Sequence, residues 1–128
     1  MRIFKIDTNL DFYTKEIRGD LKSLQEEVGG YITTATYWKE LREKDIDIYA
    51  NDEGLFADNP TITLIITDER NEYKVVGTLV GNLIFASHDD EGNTIGLTNE
   101  QIEFVVKHLV SVSYSNGTQR KKAYTFRF

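Results

Sequence analysis

The stretch that organises this chain is Leu21-Lys-Ser-Leu24-Gln-Glu-Glu-Val28-Gly-Gly30-Tyr31-Ile32. Leu21, Leu24 and Val28 fall at i, i+3 and i+7, which places them on one face of a helix. Asp20 is of a type preferred at the start of a helix, and glycines such as the pair after Val28 commonly end one. The stretch therefore predicts a short helix with a buried apolar face that turns directly into a strand. It contains no chemically reactive side chain.

The composition of the chain sets its class. With 128 residues it is long enough to bury a core as one domain without a metal or disulfides. It contains no cysteine, which excludes disulfides, cysteine zinc sites and thiol catalysis. The N-terminus carries charges every few residues, unlike a signal peptide, and no segment approaches the ~20 apolar residues of a membrane span. We therefore expect a soluble cytoplasmic protein that does not associate with a membrane.

The net charge of −6 is unevenly distributed. Residues 1–106 hold all 21 acidic residues and 10 of the 15 basic ones, a charge of −11, whereas residues 107–128 hold the other five basic residues and no acid. The acids concentrate in residues 40–58 and 89–103. Each concentration is either a solvated surface, which is the ordinary interpretation, or a negative binding surface.

Runs of β-forming residues alternate with turn residues along most of the chain. Residues 2–6 and 12–17 are expected to pair as a hairpin. A single long strand is expected over residues 73–86, in which Gly77 and Gly81 indicate a bulge or the close approach of another element. The remaining expected strands cover residues 31–36, 46–49, 61–67, 111–114 and 123–128.

Two further segments are expected to be helical. Thr98 and Gln101 have the spacing of a capping box, and five apolar residues follow at helical spacing: Ile102, Val105, Val106, Leu109 and Val110. Residues 37–44 suit one or two helical turns, or a structured loop. The predicted fold is α+β, a mainly antiparallel sheet with two short helices packed on it. It forms a single domain over residues 1–128, with residues 111–128 as a C-terminal basic and aromatic strand extension.

Four segments, taken in order, resemble a known family. They are Leu24-Gln-Glu-Glu-Val28-Gly-Gly-Tyr-Ile32, Asn51-Asp-Glu-Gly54-Leu55, Val76-Gly-Thr78 and Leu97-Thr-Asn-Glu-Gln-Ile102. Their order and spacing are similar to those of the domain of unknown function 3846 family, from about Met1 to Val110. The resemblance implies a small protein of a phage, plasmid or other bacterial mobile element, located in the cytoplasm of the host cell. It implies no enzymatic activity that can be carried over to this chain residue by residue. The segment 37–44 and the tail after Val110 depart from the family pattern.

Catalytic and metal-binding constellations are weak in this sequence. His88 and His108 are the two histidines. His88 precedes Asp89 and Asp90, but a metal site needs at least three ligands on ordered backbone, and an exposed turn is the ordinary interpretation. Gly-rich phosphate loops, nucleophile elbows and zincin motifs are absent from the sequence, and residues 51–54 lack the spacing of an EF-hand. We therefore predict a protein that is not an enzyme, with no catalytic residues, no metal and no cofactor.

The favoured function is the binding of a host protein, such as one that itself binds nucleic acid, through an acidic surface that occupies its basic groove. A mobile-element protein of this kind would inhibit a bacterial defence system, as an anti-CRISPR or antirestriction protein does. The residues expected to form this acidic patch are Glu40, Glu43, Asp45, Asp47, Asp52 and Glu53.

The alternative function is a protein or sponge that binds a small ligand such as a nucleotide signal, through basic and aromatic side chains that hold phosphate and base. The basic and aromatic tail offers an alternative binding set of Arg120, Lys121, Lys122, Tyr124 and Arg127. These side chains are also of the types that bind nucleic acid directly, but the acidic body would repel a polyanion, so we do not expect such binding. An edge strand whose aromatic side chains face the core is the ordinary interpretation of the tail. The oligomeric state is left open.

Overall fold

The computed structural model describes residues 1–56 and 60–128. Its helices and strands, in chain order, are β1 (Arg2–Ile6), β2 (Phe12–Glu16), α1 (Leu21–Val28), β3 (Ile32–Thr34), α2 (Lys39–Glu43), β4 (Ile46–Asn51), β5 (Ile62–Asp68), β6 (Lys74–Val80), β7 (Leu83–His88), β8 (Thr94–Ile95), α3 (Asn99–His108), β9 (Leu109–Asn116) and β10 (Gln119–Phe126). The predicted α+β class is confirmed. No helix in this described part of the chain is long and apolar enough to cross a membrane.

The strands form two sheets rather than the one that the sequence predicted. The first sheet has the order β2-β1-β7-β4-β3, with β8 paired to β7, and all of its pairs are antiparallel. The second sheet has the order β6-β5-β10-β9 and is antiparallel except for the pair of β5 with β10. The expected hairpin of β1 and β2 is confirmed.

Helix α1 forms where the sequence predicted it. The side chain of Asp20 accepts a hydrogen bond from the backbone N–H of Ser23 at 2.9 Å, and the helix ends at Gly29 in the left-handed conformation. Leu24 and Val28 are buried against the first sheet. Leu21, in contrast, is 60% exposed. The prediction that Leu21 lies on the buried face of α1 is wrong. The buried face instead consists of Ser23, Leu24, Glu27 and Val28, and the carboxylate of Glu27 is ion-paired there, as described below.

The expected long strand over residues 73–86 is two strands that belong to different sheets. β6 ends at Val80 and β7 begins at Leu83. Between them Gly81 adopts a φ of 76° and its N–H donates to the carbonyl of Thr61 at 2.9 Å. This left-handed conformation, open to glycine without strain, redirects the chain from the second sheet to the first.

The capping box of α3 is confirmed, but the helix is shorter than the apolar spacing predicted. It ends at His108, and Leu109 pairs with Phe126 as the first residue of β9. Val105 is fully buried, whereas Val106 is 43% exposed. The apolar run therefore covers one helical face and the start of a strand, because pairing with β10 overrides the helical spacing.

The main core joins both sheets to α2 and α3. The ring of Phe126 in β10 lies 4.9 Å from that of Trp38 and 5.9 Å from that of Phe85, centroid to centroid, each at a steep angle. Helix α2 forms within residues 37–44, where the sequence predicted one or two helical turns or a structured loop. Its Leu41 is fully buried in this core. Residues 111–128 form most of β9 and all of β10, and β10 lies inside the second sheet between β5 and β9.

Candidate functional site

The fold divides the predicted acidic patch among three places. Glu40 lines a cleft beside α2, and Glu43, also on α2, lies 3.9 Å from the ammonium group of Lys39. Asp45 and Asp47 lie at the start of β4. Asp52 and Glu53 follow the other end of that strand, whose 6 residues, at about 3.3 Å each, span roughly 20 Å. These six acids therefore do not form one continuous patch.

Asp45 and Asp47 surround His88, the last residue of β7. Nδ1 of His88 lies 2.7 Å from a carboxylate oxygen of Asp47, and Nε2 lies 3.5 Å from one of Asp45. The hydrogen bond and charge of Asp47 are the main cause that raises the pKa of His88 above its ordinary value, and Asp45 and Asp89 add to it. Partial burial opposes the shift without cancelling it. The protonated form of His88 is therefore more favoured here than in an isolated histidine.

The chemistry open to this cluster is ionic. Both ring nitrogens of His88 face carboxylates. The neighbouring hydroxyl of Ser87 donates to the carbonyl of Asp45 at 2.7 Å and lies 3.1 Å from Nε2 of Gln101, which donates to it. Ser87 and His88 are therefore not arranged as a nucleophile and its general base. Over residues 1–56 and 60–128, no group of three or more histidine and carboxylate side chains is arranged to hold a metal ion.

The two acid-rich segments of the sequence meet at this end of the first sheet. Pairing of β4 with β7 aligns Ile46 with Ser87, which brings the start of β4 beside the turn that follows β7. Helix α3 is tied to the same place, because Nε2 of Gln101 also donates to the carbonyl of Lys44 at 2.9 Å. The acids that this arrangement gathers are here called the acidic rim: Asp45, Asp47, Asp89, Asp90, Glu91 and Glu100.

The basic and aromatic tail is also divided. Tyr124 is half-buried, and its hydroxyl donates to the carbonyl of Leu10 at 2.6 Å, while the guanidinium of Arg127 lies 4.4 Å from the ring centroid of Tyr73. These two side chains are held by the fold. Arg120, Lys121 and Lys122 are exposed on the hairpin of β9 and β10 and are here called the basic hairpin.

A cleft of about 580 Å³ opens between the α2 segment and the end of β5. This volume falls in the range typical of small-molecule sites. One wall is formed by residues 36–40 and Arg42, and the other by Thr67, Asp68 and Arg70. The charged side chains of its walls are the cations Lys39, Arg42 and Arg70 and the anions Glu40 and Asp68. Their net charge is +1, on a body that is otherwise acidic.

Hydrogen bonds hold the side chain of Arg42 and the backbone of Arg70 at this cleft. Nη1 of Arg42 donates to the carbonyl of Tyr37 at 2.7 Å and to that of Thr36 at 3.5 Å. The carboxylate of Asp68 accepts from the backbone N–H of Arg70 at 3.0 Å and so caps the short 3-10 turn that carries this arginine. Two cations from distant parts of the chain are thereby held at one opening.

Thr67 carries an unsatisfied polar atom in the wall of the cleft. The residue is only 9% exposed, and its hydroxyl oxygen has no hydrogen-bond partner among the residues that the structure describes. Such a buried hydroxyl costs about 1–3 kcal/mol when it is left unsatisfied.

This cleft was not predicted from the sequence. Arg42 lies within the acid-rich segment 40–58, and Thr67 is the last residue of the strand expected over residues 61–67. Nothing in the sequence pairs the two walls, because they meet only through the packing of α2 on the core of both sheets. The exposed Tyr37 beside Trp38 is the signal that was available, since an aromatic side chain next to charged residues is typical of binding surfaces.

Comparison with known protein families identifies a family for this chain. The model of a family described as a domain of unknown function, DUF3846, matches residues 1–110. No curated protein and no solved structure gives a significant match. The matched residues include α1, the acidic rim and both walls of the cleft, and they end before the basic hairpin. Because the match covers most of the 128 residues, the chain belongs to the DUF3846 family.

Proposed function

We propose that this protein is a non-catalytic accessory protein of a phage or other mobile element that binds a host protein through the acidic rim. The partner is a nucleic-acid-binding protein of a bacterial defence system, and the bound protein inhibits it in the manner of an anti-CRISPR or antirestriction protein. The observation that supports the proposal best is the meeting of two acid-rich segments at one end of the first sheet.

The acidic rim carries the negative charge that the basic, nucleic-acid-binding groove of a protein attracts. Basic grooves neutralise phosphates with Lys and Arg side chains, and a set of carboxylates offers the same side chains an alternative counter-charge. Asp90, Glu91 and Glu100 are exposed and make no ion pair among the described residues. When it is protonated, His88 reduces the repulsion between Asp45 and Asp47, which lets a dense set of acids persist in a stable fold.

The alternative, a protein that binds a nucleotide signal through its tail, has less support. It needs basic and aromatic side chains around one ligand, and Tyr124 and Arg127 are instead held by Leu10 and Tyr73.

A competition experiment tests the proposal. Tagged protein is used to capture its partner from a lysate of the host bacterium, and the purified partner is then offered its own nucleic acid. We expect the nucleic acid and this protein to exclude each other from the partner. A partner that binds both at once, or one without affinity for nucleic acid, would contradict the proposal. Native mass spectrometry of the protein alone reveals whether it retains a small molecule.

A further inference from the structure

We propose that the cleft between the α2 segment and the end of β5 is a binding site for a nucleotide. The site is separate from the acidic rim, and it joins three chemical features that a nucleotide uses: two guanidinium groups, an exposed aromatic ring and a carboxylate. Each is contributed by a residue that lines the cleft.

The phosphate would be held by Arg42 and Arg70. A guanidinium carries five N–H donors, and within residues 1–56 and 60–128 Arg42 uses only Nη1 for hydrogen bonds, both to backbone carbonyls. Arg70 is exposed and its side chain makes no hydrogen bond or ion pair with the described residues. Charge-assisted, bidentate hydrogen bonds from such groups are the strong contacts that proteins make to phosphate.

The base would stack on Tyr37. This side chain is 45% exposed at the mouth of the cleft, and its ring is supported by Trp38, whose centroid lies 5.9 Å away at 87°. Trp38 is itself buried in the core, so the platform is fixed by the fold. An aromatic ring stacks on any nucleic-acid base, because every base has a π-face.

Glu40 distinguishes a nucleotide from a bare anion. Glu40 offers a carboxylate, which repels an anion but accepts hydrogen bonds from ribose hydroxyls or from the amino group of a base. A simple inorganic anion would leave Tyr37 and Glu40 without a role, whereas a nucleotide engages both.

Isothermal titration calorimetry of the purified full-length protein tests this assignment. The probes are each ribonucleoside 5′-monophosphate, the matching nucleosides and inorganic phosphate, all at low salt. We expect at least one monophosphate to bind at least about tenfold more tightly than its nucleoside and than phosphate, since it alone engages both ends of the cleft. Equal affinity for phosphate would reduce the cleft to an anion site, and no binding of any monophosphate would also overturn the proposal.

Two variants and a matched control locate the binding. Arg70→Gln and Tyr37→Leu should each weaken the binding of the same monophosphate by about tenfold. Arg120→Gln removes the same charge from the basic hairpin and should leave the affinity unchanged. Tyr37→Leu should leave the fold intact, because the side chain of Tyr37 is 45% exposed. Wild-type affinity in both cleft variants, or loss only in Arg120→Gln, would refute the site and leave the acidic rim untouched.

Discussion

At the scale of single residues, the carboxylate of Glu27 is a buried charge that depends on its ion pairs. It is 6% exposed and lies 3.3 Å from the ammonium group of Lys5, which is 9% exposed, and 3.0 Å from that of Lys15. Burial opposes its ionisation, but the two lysines outweigh that effect, so the pKa of Glu27 lies below its ordinary value. Its stabilising contribution is therefore present above the unfolded pKa and lost as the pH falls through the folded one.

Removal of this charge should destabilise the protein. Glu27→Gln leaves the ammonium group of Lys5 buried without its counter-charge, and we expect a loss of about 3 kcal/mol in the free energy of unfolding, measured by urea denaturation at pH 7. Glu26→Gln, on the exposed neighbouring position, is the control and should change stability by less than about 0.5 kcal/mol. Equal stability of the two variants would show that the ion pairs contribute nothing.

The protonation of His88, which lies between Asp45 and Asp47 of the acidic rim, should contribute to the stability of the protein. Its pKa is raised, chiefly by Asp47, so its contribution to stability is fully present below the unfolded pKa and is lost as the pH rises through the folded one. An NMR titration should place the His88 pKa above the ordinary value of about 6.5, and Asp47→Asn should lower it. A pKa at or below the ordinary value in the wild-type protein would contradict the observed pairing.

At the scale of elements, α1 offers two leucines with opposite expected behaviour. Leu24→Asp places an unpaired charge against the first sheet and should unfold the domain, because its cost of several kcal/mol is a large share of the ~5–15 kcal/mol available. Leu21→Asp, three residues earlier in the same helix, should be tolerated because Leu21 is 60% exposed. Circular dichroism with thermal melts compares the two. A stable Leu24→Asp variant would disprove the packing of α1.

The link between β6 and β7 depends on the backbone of Gly81. Gly81→Ala forces an L-residue into a φ of 76° and should cost about 1 kcal/mol, although no atom lies near the added methyl group. Gly77→Ala is the control, since its Cβ would meet Ile66 at an ordinary 3.5 Å and its φ is not positive. Urea denaturation measures both changes. A smaller loss for Gly81→Ala than for Gly77→Ala would argue against the turn.

Most elements could be predicted from local patterns, and the errors have physical causes. The helix from Leu21 and the capping box at Thr98 were predictable because caps and apolar spacing act within a few residues. The break at Gly81 was not predictable, because an apolar β-branched run on both sides looks the same whether it is one strand or two. The early end of α3 at His108 depends on pairing with β10, a contact far away in the chain.

At the scale of the whole molecule, the α+β class and the family were predictable, whereas the arrangement of the candidate sites was not. The individual acids of the rim were visible in the sequence, but their meeting depends on the register of β4 against β7. The same register places Asp52 and Glu53 at the other end of β4, away from the acidic rim. The cleft depends on two walls that only the packed core brings together, so charge counting along the chain could not find it.

The most direct test of the acidic rim is the rate at which the protein associates with its captured partner. The test variant is Asp90→Asn, Glu91→Gln, Glu100→Gln, in which every substitution is on the rim. The control variant removes the same charge elsewhere, as Glu26→Gln, Asp52→Asn, Glu53→Gln. Both triple variants keep the ion pairs of His88 and of Glu27.

Stopped-flow or surface-plasmon measurements over a range of salt concentrations should show slower association for the rim variant at low salt, with a smaller effect on dissociation. The difference should shrink as salt is added, because exposed charges are screened over about 8 Å at physiological ionic strength. The control variant should associate nearly as fast as the wild-type protein. A rim variant that associates at the wild-type rate at every salt concentration would contradict the proposal that this surface binds the partner.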